Sequence, residues 1–178
     1  MTKIEFDGDL NLLKQHIRDV PDFPQPGVLF RDITPMLADP VAFGVAVDLL
    51  AAPYAGVDRV VAIESRGFIL GAPVALALHA GLVPVRKIGR LPADTIREDY
   101  SLEYGVNSLE IHRDAIGPGD KVLIVDDVLA TGGRVRAAAN LVQRLGGVVT
   151  GVSLLIELAF LNGRAQLDDL DVRTILVY

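Results

Sequence analysis

The sequence predicts an α/β protein, a single domain built on a central parallel sheet flanked by helices. Three observations carry that prediction. Short apolar, β-branched runs at 59–63, 82–86, 121–125, 148–156 and 172–177 alternate with helix-length segments, as in right-handed βαβ units. At 178 residues the chain can build one substantial core and is short for two ordinary domains. Its 51% hydrophobic and 22% charged residues give a globular balance that argues against disorder.

Leu10, Leu13 and Ile17 recur at helical spacing and predict a short first helix that stops before Pro21. Residues 21–35 hold prolines at 21, 24, 26 and 35. Proline fixes its own φ and restricts its predecessor, so an ordered extended loop is expected there, neither helix nor central strand. Asp39-Pro40 reads as an N-cap followed by proline at the first helical position, opening a helix to about Tyr54. A strand over Arg59–Ile63, a helix over Phe68–Ala80 and a strand over Leu82–Arg86 follow. Between Phe68 and Val85 only His79 is conventionally polar, but Pro73, Gly81 and Pro84 interrupt the run. It is therefore read as core and not as a membrane span.

Tyr100–Arg113 reads as an antiparallel hairpin around Gly105, Val106 and Asn107, outside the parallel core. The strand Lys121–Val125, a helix from about Gly133 to Leu145 closed by Gly146, and the strands Val148–Ile156 and Val172–Val177 complete the set. No repeat, low-complexity tract or linker interrupts the chain.

Charge narrows the function. A formal net charge of -6 argues against a non-specific nucleic-acid binder, which needs a basic footprint. The chain has no cysteine, which excludes a disulfide framework, a thiolate metal site and a cysteine nucleophile. A reducing cytoplasmic setting is expected. Met1–Leu10 carries Glu5, Asp7 and Asp9 without an apolar stretch, so no signal peptide is expected. His16, His79 and His112 share no motif.

The chemistry concentrates in 122–133, where the apolar strand Val122-Leu123-Ile124-Val125 ends in Asp126 and Asp127. The turn Val128-Leu129-Ala130-Thr131-Gly132-Gly133 then enters a helix. Such a turn lies beyond the carboxyl end of a parallel strand, where ligands bind. Two glycines let the backbone approach an anion, and free helix N-terminal N–H groups donate to it, so a phosphate fits. The acids repel phosphate and suit hydroxyl donors such as a ribose, or a hydrated magnesium ion. The plainer alternative is Asp127 as a helix cap, although several residues separate it from the helix.

Residues 122–133 resemble the ribose-phosphate motif of the type I phosphoribosyltransferases. The resemblance implies that Asp126 and Asp127 hold ribose hydroxyls, and that Ala130, Thr131, Gly132, Gly133 and Arg134 hold the 5-phosphate. Arg134 departs from the small hydroxyl residue common at that position, which leaves its backbone N–H as the expected contact. Three further segments resemble the adenine branch of that family. The stretch from Pro21 to Pro35 is similar to its base-binding hood, Glu64-Ser65-Arg66-Gly67-Phe68 to its pyrophosphate loop, and Tyr100-Ser101-Leu102-Glu103-Tyr104-Gly105 to its mobile catalytic loop, within 87–105.

A purine needs an apolar sandwich and a few placed polar groups. Phe30 offers one face, the resemblance puts Leu161 on the other, and Leu29 and Arg31 would read the edge. Phe30 simply tucking the proline loop onto the core is the alternative. The Ser65-Arg66 segment follows a strand and opens a helix, a second anion site where Arg66 offers a bidentate fork. The family carries a cis non-proline peptide there, expected between Ser65 and Arg66. A local Glu64–Arg66 ion pair is the simpler reading. The resemblance further implies that Arg86, Lys87 and Arg90 neutralise pyrophosphate, reaching across a homodimer interface.

Together these imply transfer of phosphoribosyl from phosphoribosyl pyrophosphate to adenine. Magnesium would be held through substrate oxygens and water, and Glu103 and Arg66 would act catalytically, Glu103 as the acid/base on the purine. Two alternatives stay open, a 6-oxopurine phosphoribosyltransferase and a non-catalytic nucleotide-sensing regulator on the same fold. Neither nucleic acid nor membrane is an expected partner.

Overall fold

The computed structural model describes residues 3–101 and 106–178. The chain divides into two compact units, 1–49 and 50–178.

In the first unit, helix α1 covers Lys3–Gln15, longer at its start than the apolar periodicity predicts. The only apolar residues of its first turns, Ile4 and Phe6, stand two apart in sequence and so give no helical spacing. Strands β1 (Arg18–Pro21) and β2 (Leu29–Asp32) pair antiparallel, with Val20 opposite Phe30. The expected irregular loop is thus a small ribbon. It tolerates its prolines because Pro21 ends a strand and Pro24 and Pro26 fall in the connection, which Asp22 Oδ1 closes by accepting from the Gly27 N–H at 2.7 Å. Helix α2 (Thr34–Ala38) carries Pro35 in its first turn. Helix α3 (Pro40–Ala51) begins as expected, since Asp39 Oδ1 accepts from the Val41 and Ala42 N–H groups at 3.0 and 2.8 Å.

In the second unit, β3 (Arg59–Ile63), α4 (Arg66–Ala77), β4 (Gly81–Lys87), β5 (Thr95–Ser101), β6 (Val106–His112), β7 (Lys121–Leu129), α5 (Gly133–Arg144), β8 (Val148–Glu157) and β9 (Val172–Val177) follow, with two short 3-10 turns before β9. One seven-stranded sheet runs β5-β6-β4-β3-β7-β8-β9. From β4 to β9 all pairs are parallel.

The hairpin lies outside the parallel strands as expected, and it extends their sheet: β6 pairs antiparallel with β4 through Arg86–Glu110 and Lys87–Leu109, with β5 beyond it. An uncovered β4 edge would leave backbone groups unpaired, and the hairpin satisfies them. One expectation changes. Strand β7 does not stop at the acids. Asp126 pairs with Leu154 and Leu129 with Glu157, so the ladder with β8 continues past both carboxylates. Charge does not end a strand when the backbone keeps its partners.

The core lies between this sheet and its helices. Val61, Ile63, Val85, Val122, Ile124, Val152 and Leu154 are buried. Val135, Ala138, Ala139 and Val142 press one face of α5 onto them at the i, i+3, i+4, i+7 spacing.

Candidate active site

Within the parallel part of the sheet the order is β4-β3-β7-β8-β9. The chain leaves β3 toward β4 on one side and β7 toward β8 on the other, so the winding reverses between β3 and β7. At such a switch point the crevice beyond the strand carboxyl ends receives ligands. Both loops singled out in the sequence emerge there, 64–65 after β3 and 130–132 after β7.

A cavity of about 310 Å³ opens at this point. Glu64, Ser65 and Arg66 line it from the first loop, and Asp127 and Arg134 from the second. Lys87, Tyr100 and Asn107 close it from β4 and the hairpin. The cis peptide lies between Glu64 and Ser65, one bond upstream of the one expected. The Ser65–Arg66 peptide already belongs to the helix, where the Phe68 N–H donates to the Ser65 carbonyl at 3.2 Å, and a helical turn needs trans units.

The two aspartates are buried, Asp126 at 0% and Asp127 at 2% exposure. Asp127 faces the cavity, and its Oδ2 lies 2.5 Å from Arg66 Nη2. Asp126 sits deeper. Its Oδ1 accepts from the Asp127 N–H at 2.9 Å and would be 2.7 Å from a Cβ at position 67, which is why the first turn of α4 needs Gly67. Its Oδ2 is 3.2 Å from Arg134 Nη2. Burial pushes the Asp126 carboxyl well above its ordinary value; Arg134 opposes that rise and Asp127 reinforces it. In both residues Oδ2 has no aligned hydrogen-bond donor among the described residues. Buried acceptors left this way are the exception in folded proteins, and here two belong to adjacent residues, of which Asp127 lines the cavity.

Arg134 also donates from Nη2 to the Glu64 carbonyl at 2.6 Å. The Glu64 carboxylate accepts from Arg86 Nε at 2.7 Å, so the loop's ion pairs are Glu64–Arg86 and Arg66–Asp127 rather than Glu64–Arg66. Arg86 Nη1 donates to the Arg90 carbonyl at 2.9 Å. Glu110 then accepts from the Arg90 and Leu91 N–H groups at 2.8 and 2.9 Å. Burial works against its charge, but the N–H groups of Leu91, Arg90 and Gly89 outweigh that and hold the carboxyl below its ordinary value. Arg90 is thereby placed through its backbone, and its side chain does not line the cavity.

After β7, Ala130, Thr131, Gly132 and Arg134 surround a smaller hollow of about 60 Å³, and Gly133 starts α5. Gly132 adopts φ 88°, and a Cβ there would collide with the Gly163 carbonyl. A Cβ at Gly163 would in turn collide with the Ala130 carbonyl. The 130–132 loop rests backbone against backbone on the 163 turn.

In the first unit, a cavity of about 260 Å³ is lined by Val20, Phe23, Phe30 and Asp32, with the Phe23 and Phe30 rings edge to face at 5.1 Å. Leu29 is exposed, and Arg31 Nη1 pairs with Asp19. Leu161, in the second unit, is half-buried in the 3-10 turn Ala159–Leu161. Glu103, Leu102, Tyr104 and Gly105 lie outside the described residues.

Sequence reading named neither Tyr100 nor Asn107 as a site residue, and it gave Glu64 only an ion pair. Tyr100 and Asn107 are opposite each other in the β5–β6 register, so aligning the hairpin strands is the signal that finds them.

Residues 49–170 match the phosphoribosyl transferase domain model. The chain is 55% identical over 166 residues to the adenine phosphoribosyltransferase of Thermobifida fusca, covering 92% of this chain and 94% of that one. Among solved structures, the adenine phosphoribosyltransferase of Rhodothermus marinus superposes with a TM-score of 0.93 at 51% identity, covering 97% of this chain and 99% of its own. The Saccharomyces cerevisiae enzyme, complexed with an imino-altritol bisphosphate and adenine, superposes at 0.91 with 39% identity over 96% of this chain and 99% of its own. The chain belongs to the phosphoribosyltransferase family and, within it, to the adenine phosphoribosyltransferases.

Proposed function

We infer that this protein salvages purine by moving phosphoribosyl from phosphoribosyl pyrophosphate to adenine, giving AMP and pyrophosphate. It is an enzyme of pentosyl transfer. The observation that carries the site assignment is the pair of adjacent buried carboxylates, Asp126 and Asp127, each facing one arginine, between the two loops at the switch point. Two adjacent acceptors suit the vicinal hydroxyls of a ribose, with a phosphate on either side.

On this reading, Ala130, Thr131, Gly132, Gly133 and the Arg134 backbone hold the 5-phosphate. Ser65, Arg66, Arg86, Lys87 and Arg90 serve the diphosphate. Arriving diphosphate draws Arg66 away from Asp127, which frees that carboxylate for a sugar hydroxyl. As the C1–oxygen bond breaks, positive charge grows on the sugar and negative charge on the leaving diphosphate, where Arg66 and Lys87 stabilise it. Leu29, Phe30 and Arg31 of the first unit are assigned to base recognition, as is Leu161. Glu103 exchanges the proton as N9 attacks C1, a contribution of ~10²–10⁴-fold.

Magnesium fits this donor set only as a substrate-borne ion. Among the described residues no group of three or more acidic or histidine side chains gathers to hold a metal, and Asp127 and Glu64 are each paired with an arginine. Magnesium held by diphosphate oxygens and water would neutralise leaving-group charge. The outward face of α4, with Ile69 at 44% and Leu76 at 77% exposure, supports a homodimer, as exposed apolar stripes do. No helix among the described residues is long and apolar enough to cross a membrane. We place the protein in the cytoplasm, a setting that its lack of cysteine suits.

The test mixes protein, magnesium, phosphoribosyl pyrophosphate and one base at a time. AMP and pyrophosphate from adenine alone are expected. Product from hypoxanthine or guanine instead would mark a 6-oxopurine enzyme, and product from no base would mark a sensor.

A further inference from the structure

We propose that the Arg134 side chain is a positioning residue that fastens the pyrophosphate loop to the ribose-binding strand. Its Nη2 meets both, donating to the Glu64 carbonyl at 2.6 Å and standing 3.2 Å from Asp126 Oδ2. Glu64 ends the chain segment leaving β3, and Asp126 lies in β7, the neighbouring strand. Beyond the paired strands, the two loops are therefore tied by two guanidiniums, Arg66 on Asp127 and Arg134 on Glu64 and Asp126, and of these Arg134 alone reaches across from the second loop.

Two features of the surroundings make this contact consequential. Asp126 is wholly buried, and a buried carboxylate without a cation beside it is strongly disfavoured. The Glu64 carbonyl leads directly into Ser65 and Arg66, and all three residues line the cavity. An arginine offers five donors in a planar fork, so it serves both acceptors, and Arg134 lines both the cavity and the hollow at 130–132. A short hydroxyl side chain at 134 has the reach to touch a phosphate but not to span these two loops.

The inference rests on the transferase reading and is tested apart from it. Arg134→Met, Arg134→Gln and Arg134→Lys are compared with the parent protein in steady-state AMP synthesis, in pyrophosphate product inhibition and in thermal unfolding. The parent must form AMP from adenine; if it does not, the transferase reading fails. The same variants are then judged by calorimetric binding of phosphoribosyl pyrophosphate.

Arg134→Met is expected to raise KM for phosphoribosyl pyrophosphate at least tenfold and to weaken pyrophosphate inhibition in step. The adenine KM should stay within twofold and kcat within about threefold. Arg134→Lys should recover most of the loss, and Arg134→Gln less. Should Arg134→Met prove unfolded, Arg134→Gln against Arg134→Lys decides the same point. A phosphoribosyl pyrophosphate KM within twofold of the parent in the uncharged variants would overturn the proposal. So would equal loss for both substrates together with a lowered unfolding midpoint, or a lysine variant as impaired as the uncharged ones.

Discussion

Replacing Gly132 by alanine tests whether the phosphate loop depends on backbone contact. Gly132 has φ 88°, and its added Cβ would run into the Gly163 carbonyl, a backbone atom that cannot swing aside as a side chain would. The left-handed conformation costs a non-glycine residue about 1–2 kcal/mol, and overpacking adds about 1–3 kcal/mol. The sum is about 2–5 kcal/mol, placed on a loop of a few residues. Since about 1.4 kcal/mol is a factor of ten in affinity, the loop is expected to relax outward. The KM for phosphoribosyl pyrophosphate should then rise at least tenfold, with adenine KM within twofold. Gly119→Ala is the matched control, because Gly119 has φ 82° and nothing within 4 Å of the added atom. It should show only the conformational term, about 1–2 kcal/mol in urea unfolding, with unchanged kinetics. If Gly132→Ala behaves like Gly119→Ala in both assays, the loop is not held by the 163 turn and the reasoning is wrong.

Other predictions follow from charge. Asp126 has its carboxyl raised above the ordinary 3.8 by burial. The native state therefore binds its proton more tightly than the unfolded chain, and stability from this group falls as pH climbs past 3.8. Asp126→Asn should gain on the parent in unfolding midpoint as pH is raised above 3.8, while losing phosphoribosyl pyrophosphate binding; a pH-independent difference would contradict this. Glu110 runs the other way. Its carboxyl lies below the ordinary 4.5, so its stabilising share is present above that pH and lost as pH falls through the lowered value. Glu110→Gln should be the less stable protein at pH 7, and the gap should close under acid. Glu103→Ala should lower kcat by ~10²–10⁴-fold with little effect on substrate binding, and matched losses in both would strip Glu103 of its role.

The parallel core was legible because its buried strands read as apolar runs, so that Arg59–Ile63 coincides with β3 residue for residue, and the less buried edge run Val172–Val177 coincides with β9. The ribbon of β1 and β2 was not, because its prolines argue locally against strands while cross-strand pairing decides. Strand β7 was cut short at Asp126 for a related reason: a carboxylate reads as a strand end unless its counter-ion is known. Arg66, distant in sequence, and Arg134, across the turn into α5, are those counter-ions, and folding brings both beside the acids. The cavity-lining residues Ser65, Arg66, Lys87, Asp127 and Arg134 were found through motif resemblance. Tyr100 and Asn107 needed the hairpin register.

The neighbourhood of β3 and β7 turns the sheet into a calliper. Hydrogen-bonded strands lie about 4.8 Å apart, so the loops at their tips, 64–65 and 130–132, stand at a gauge set by the backbone ladder of β3 on β7. On the proposed reading, that gauge is what a single phosphorylated pentose would have to span, and the strands would set it before the loop side chains refine it.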